Sequence, residues 1–137
     1  MEECQVLVAV VCDDVRHEVG NKNSLMGIFT DFQVSDYQQP LPPFTVFVKL
    51  GFQNPGPHKV EFNVKSHEGD FGFSLSGPVE AKEKNEAYGQ HMLEMDVRLA
   101  NLKIPREGQY SIEVKVNSRA VTHIPFVVKT RKPPTLQ

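Results

Sequence analysis

Asp13, Asp14, Arg16, His17 and Glu18 form the densest knot of ionisable side chains in the sequence. A carboxylate near a histidine can orient the imidazole for general-base work or help to hold a metal ion. These five residues are therefore the candidate binding residues, and the chemistry they would support is a metal- or carbohydrate-binding or hydrolytic pocket. A metal centre, however, draws three or four ligands together from different elements. The chain has no His-x-His, Glu-x-x-His or Cys-x-x-Cys spacing to supply them. In an extended backbone Asp14, Arg16 and Glu18 share one face, while Asp13 and His17 share the other with Val11, Val15 and Val19. The simpler expectation is structural: an Asp14–Arg16–Glu18 ladder on a sheet surface, with Asp13 accepting amide hydrogens where the strand bulges.

Other reactive side chains are no closer to a site. His58, His67, His91 and His123 share no spacing and are expected at the surface or half below it. Cys12 precedes two aspartates, whose charge raises a thiol pKa and disfavours the thiolate, so an inert, partly buried thiol is expected. Gly69-Asp70-Phe71-Gly72 has hairpin chemistry but no helix N-terminus to receive a phosphate. Neither Ser24 nor Ser76 lies in a nucleophile elbow. No catalytic residue, metal or cofactor is assigned, and the protein is expected not to be an enzyme.

The ionisable knot sits inside a long hairpin expected from Gln5 to Val34. Val6 to Val11 is an almost unbroken apolar run, largely β-branched, which suits a strand buried on both faces. Gly20-Asn21-Lys22-Asn23 can reverse the chain. Leu25 to Val34 then returns, with Met26, Ile28, Phe32 and Val34 on one face, Leu25, Gly27, Phe29, Asp31 and Gln33 on the other, and one of the two faces expected to be core. Pro40, Pro42 and Pro43 lack the N–H a sheet needs, and suit an extended connector from one sheet to another.

Alternation of apolar and polar residues continues beyond the prolines. Phe44–Phe52, a strand around Val60–Val64, and Phe71–Leu75 are expected as a three-stranded antiparallel meander. Ser76 to Gln90 lacks an apolar stripe and is expected to be an exposed connection. Leu93–Leu99, Ile112–Val116 and Ala120–Lys129 follow, with a tight turn at Asn117-Ser118 and Pro125 marking the last strand as an edge. About eight strands and no long helix make an all-β, single-domain antiparallel β-sandwich over residues 1–130, with a disordered tail at 131–137. Glu107-Gly108-Gln109-Tyr110 resembles the Gly-x-Tyr approach of immunoglobulin-like sheets, whose tyrosine hydroxyl ties back to nearby backbone. An immunoglobulin-like architecture is therefore expected, without the Cys–Trp–Cys core, since the chain has no tryptophan.

Bulk properties narrow the function classes. The formal net charge is −2, and the basic residues are dispersed, so neither nucleic acid nor an anionic membrane is an expected partner. Cys4 and Cys12 would lie about 26 Å apart on one strand, whereas bridged Cα atoms sit about 5.5–6 Å apart. Two unbridged cysteines fit a reduced, cytoplasmic protein. No apolar run approaches the roughly 20 residues of a membrane helix, and the start lacks the basic residues of a signal peptide.

Cys12-Asp13-Asp14-Val15-Arg16-x-Glu18, the Gly-Asn-Lys that follows, and Ser24-Leu25-Met26-Gly27-Ile28-Phe29 resemble the opening of a family of small bacterial proteins of unknown function. The closing Gly108-Gln109-Tyr110 strand pair and the proline-rich segment before Phe44 are similar too. The resemblance implies one β-sandwich domain and a bacterial origin, and it brings no activity with it. The expected role is a non-enzymatic interaction or structural module. It would act through an unknown protein partner or as a homo-oligomer, by an exposed edge strand near Ala120–Lys129.

Overall fold

Phe44, Val46, Val48, Leu50 and Phe52 can all leave water together only if the backbone is extended and one face of it looks inward. In the computed structural model, which describes residues 4–20, 22–34, 40–69, 72–81, 84–85 and 89–130, all five are buried on one strand. Among the described residues there are ten strands: β1 (Cys4–Glu18), β2 (Lys22–Ile28), β3 (Asp31–Val34), β4 (Phe44–Phe52), β5 (Gly56–Ser66), β6 (Gly72–Ala81), β7 (Lys84–Asn85), β8 (Gln90–Leu99), β9 (Gly108–Val116) and β10 (Arg119–Thr130). They make two five-stranded sheets, β2-β1-β4-β8-β7 and β3-β10-β9-β5-β6, with no helix among the described residues. Phe52, Ile112, Val114 and Phe126 are among the side chains from the two sheets that fill one shared core. The all-β sandwich expected from the alternation is the observed fold; the expected tail at 131–137 lies outside the described residues.

Several connections differ from expectation. The stretch Leu25–Val34 is two strands, not one, because the chain changes sheets in the middle. Phe29 N–H donates to Val11 O in the first sheet at 3.1 Å, and Thr30 O accepts Val127 N–H from the second at 2.9 Å. Phe32 drives the switch: its ring packs edge-on against Phe29, Phe44 and Phe126, with centroids 4.7, 4.9 and 5.4 Å away. Each such contact contributes about 0.5–1.5 kcal/mol beyond the area it buries. Phe32 and Val34 are thus core, whereas Met26 and Ile28, assigned to the same face, are exposed.

β3 then runs parallel to β10, Asp31 opposite Val127 and Val34 opposite Thr130, so the sandwich is not wholly antiparallel. The three-stranded meander is not formed either. β4 pairs with β1 and β8 in the first sheet, whereas β5 and β6 form a hairpin in the second. Ser76 to Ala81 continues β6 along β5, Ser76 opposite Glu61 and Ala81 opposite Gly56. Backbone pairing and the contact of Val79 and Ala81 with the core hold this stretch extended without an apolar stripe.

The proline-bearing connector does carry the chain between sheets, from β3 to β4. Its Leu41 is buried, donates its N–H to Leu102 O at 2.8 Å, and closes one end of the core with Leu102 and Ile104. At that same end Tyr110 Oη donates to Arg106 O at 2.6 Å, the backbone tie its Gly-x-Tyr context led us to expect. Asn117 and Ser118 both take positive φ, +50° and +70°, in the two-residue turn between β9 and β10.

Candidate functional site

A one-residue slip at the start of β1 creates the surface on which the site is built. The β1–β4 register shifts between Val6 and Val8, so Leu7 is extra. Before the slip Cys4 and Val6 face the main core; after it Ala9 and Val11 do. Val8, Val10 and Cys12 are thereby turned to the outer face, beside Phe47 of β4. An apolar strip on an outer face needs a cover, and the chain supplies its own.

Past Cys12, β1 is paired with β2 alone, and the two form a free ribbon. Phe47 is paired with Val10 on one side and with Asp96 of β8 on the other. His17 lies well beyond Val10 along β1, yet its Nε2 is 3.4 Å from Asp96 Oδ1. The ribbon must therefore fold back across the outer face of the first sheet. Val15 and Leu25 close over Phe47, which together with Cys12 makes a second, small apolar cluster. Phe47 keeps only 5% of its surface exposed, and Cys12 none.

The bend has a local cause. Cys12–Ile28 and Asp14–Met26 are in register, while Gly27, opposite Asp13, takes φ +66°. A Cβ on Gly27 would lie 2.3 Å from Asp13 Oδ2, so the glycine both adopts the left-handed backbone and makes room for the carboxylate. Asp14 Oδ1 accepts the N–H of Val15 at 2.9 Å on the other strand of the bend.

Among the described residues, His17 is the one of the five candidates with an ion-pair partner on another strand. Its Nδ1 is 2.7 Å from Asn23 Oδ1 across the ribbon. Asn23 Nδ2 donates to Glu94 Oε2 on β8, and Lys49 Nζ of β4 lies 3.5 Å from Glu94 Oε1. The amide nitrogen of Asn23 is thus used on Glu94, which leaves Oδ1 as an acceptor and makes His17 Nδ1 the donor. Asp13, Asp14, Arg16 and Glu18 are exposed, and no ion pair joins Asp14, Arg16 and Glu18 among the described residues. The expected ladder does not form because its members stand in water on a bent ribbon, where neighbouring charges gain little by holding one geometry. Asp13 does not accept the amide hydrogen; Asp14 does.

The other sequence candidates resolve as structure. The Cys12 thiol is pushed up by burial and then by the charge of Asp13, and its Sγ–H points to Asp14 O at 3.5 Å. His58 is buried, not at the surface, stacked on Phe52 with centroids 3.9 Å apart. Its Nε2–H donates to Asn54 O at 3.1 Å, and Nδ1 accepts from Asn117 Nδ2 at 3.0 Å, so both ring nitrogens are engaged within the fold. Among the described residues no three His, Cys, Asp or Glu side chains are grouped to hold a metal ion. On the outer face of the second sheet, Glu113 is held below the usual carboxylate range, first by a hydrogen bond from Lys65 and then by one from Asn63. Asn23, Lys49, Glu94 and Asp96 were not singled out from the sequence. Lys49, Glu94 and Asp96 belong to ordinary alternating strands and Asn23 to the expected turn, now the start of β2; only the fold-back brings β4 and β8 to His17.

The class defined by this geometry is a two-sheet β-sandwich with a ribbon lying on one outer face. The fold is shared with part of Pseudomonas fluorescens alkylpurine DNA glycosylase AlkC, bound to DNA containing an abasic site analog, at a TM-score of 0.51 and 9% identity over 93% of this chain and 30% of that one. It is shared equally with part of a β-glucosidase from Listeria innocua in complex with glucose, at a TM-score of 0.51 and 8% identity over 93% of this chain and 16% of that one. The chain thus spans less than a third of either protein, and identity this low speaks for the fold alone. No curated protein matches the chain. Residues 7–129 match DUF6941, a family of unknown function, and the chain belongs to that family. No described helix is long and apolar enough to cross a membrane.

Proposed function

We propose that the protein is a non-enzymatic interaction module that accepts an extended strand, from a partner protein or a second copy, on the open edge of β2. Open edges template further pairing unless they are short, charged or interrupted by proline. Among the described residues the open edges are β2, β3, β6, β7 and the parts of β1, β8 and β10 that their neighbours leave uncovered. The open part of β8 carries Glu94, Asp96 and Arg98, and β1 carries the bulge at Leu7 and the charges from Asp13 to Glu18. β7 has two residues, and β3 has four, with polar Asp31 and Gln33 outermost. β6 carries Pro78, and the uncovered part of β10 carries Pro125. β2 has seven residues and no proline. It leaves Met26 and Ile28 exposed at 42% and 59%, which is the observation that carries the proposal. The expected docking edge at Ala120–Lys129 is the weaker one, since Pro125 interrupts its open part and β3 covers its end.

Light scattering of the full chain across a concentration series, beside the Met26→Lys and Ile28→Lys variants, tests the self-pairing form. Pull-down with the same three proteins tests the partner form. Association or capture that both variants abolish is the expected result. A chain that is monomeric throughout and captures nothing in a Met26- or Ile28-dependent way would overturn the proposal.

A further inference from the structure

We propose that the β1–β2 ribbon is a hinged flap, closed over Phe47 and latched through His17 when the imidazole carries both protons. The inference concerns the ribbon's motion and stands whether or not β2 receives a partner strand.

Three observations define a hinge, a seat and a latch. The hinge is the level of Asp13 and Gly27, where left-handed glycine backbone interrupts the regular ribbon and β4 no longer flanks β1. The seat is the apolar contact of Val15 and Leu25 with Phe47, separate from the main core, so that it can open without disturbing the sandwich interior. The latch is the pair of polar contacts at the ribbon's far end, His17 on Asp96 and Asn23 on Glu94. Both ring nitrogens of His17 face acceptors: Asn23 Oδ1, fixed as an acceptor by the use of its amide on Glu94, and Asp96 Oδ1. A neutral imidazole can donate to only one of them; the imidazolium donates to both.

The surrounding charges give the same sign. β8 presents Glu94 and Asp96 to the ring, with Arg98 further along the same face. β4 presents Lys49, which is engaged with Glu94. On the ribbon itself, Asp13, Asp14, Arg16, Glu18 and Lys22 are exposed, and Asp13 stands on the same face of β1 as His17. Among the described residues the carboxylate within ion-pair reach of the ring is that of Asp96, and losing the ring proton replaces an ion pair by a lone-pair contact. His17 and Asp96 are both substantially exposed, at 65% and 36% of their side-chain surface, so the latch is a bias and not a lock. A bias of that kind changes an opening equilibrium by about two- to five-fold.

Amide hydrogen exchange of the full chain at about pH 6 and about pH 8, corrected for intrinsic rates, reads the equilibrium directly. Protection of residues 13–20 and 22–28 should fall about two- to five-fold at the higher pH, while β5 and β9 keep theirs. His17→Gln and Asp96→Asn should each remove that difference. Ribbon protection that is the same at both pH values would overturn the proposal. So would a pH effect that persists in both variants, or ribbon amides that open only together with β5 and β9.

Discussion

Gly27→Ala should destabilise the protein through two separable costs. The backbone there has φ +66°, a conformation that costs an L-residue about 1–2 kcal/mol. The new methyl would also fall 2.3 Å from Asp13 Oδ2, which forces the carboxylate out of its place. Because Asp13 is exposed, its side chain can swing into water, at roughly the price of an off-rotamer torsion, about 0.5–1.5 kcal/mol. The substitution alone should therefore cost about 1.5–3.5 kcal/mol. In an Asp13→Ala background only the backbone part remains, about 1–2 kcal/mol, leaving a coupling near 1 kcal/mol. Urea unfolding of the four proteins of this double-mutant cycle measures it, with exchange of the ribbon amides as the second readout. A variant as stable as the parent by both readouts would refute the role given to Gly27. An equal loss in both backgrounds would refute the contact with Asp13.

Two further outcomes follow from polar contacts. Tyr110→Phe removes the hydroxyl that donates to Arg106 O and should cost about 0.5–1.5 kcal/mol, seen as a lowered Tm with the ring packing on Phe126 retained. Glu113, whose carboxyl is held low by Lys65 and Asn63, should contribute stability above the ordinary carboxylate range and lose it as pH falls through its folded pKa. Glu113→Gln should accordingly be less stable than the parent near neutrality, with the gap closing in acid during a pH series of denaturant unfolding.

Strands with unlike faces were legible in the sequence. β5, β8, β9 and β10 alternate because one side meets the core and the other meets solvent or ions, whereas β4 is buried on both sides, with Phe47 under the ribbon. The switch at Phe29–Thr30 was not legible, because period two runs unbroken from Met26 to Val34 while the backbone exchanges one sheet for the other. The slip at Leu7 was hidden for a related reason: with apolar residues on both sides, moving the register by one leaves the composition of neither face changed in kind. The apolar run of β1 did indicate burial on two faces, but not that the second cover is the chain's own ribbon. For the candidate site, the knot at Asp13–Glu18 was visible and its long-range half was not. Glu94 and Asp96 look like any outward residues of an alternating strand until His17 is folded onto them.

The parallel seam between β3 and β10 bears on how the molecule is made. Asp31 to Val34 has one sheet neighbour, and that neighbour is the final strand described. During synthesis, Phe32 and Val34 emerge nearly a hundred residues before Val127–Thr130 can lie beside them. For that interval β3 has no sheet neighbour, and Phe32 can meet only Phe29 and Phe44 of its eventual ring partners. The β3–β10 seam therefore waits on β10, and a chain cut short before Val127 would leave β3 without its sheet neighbour.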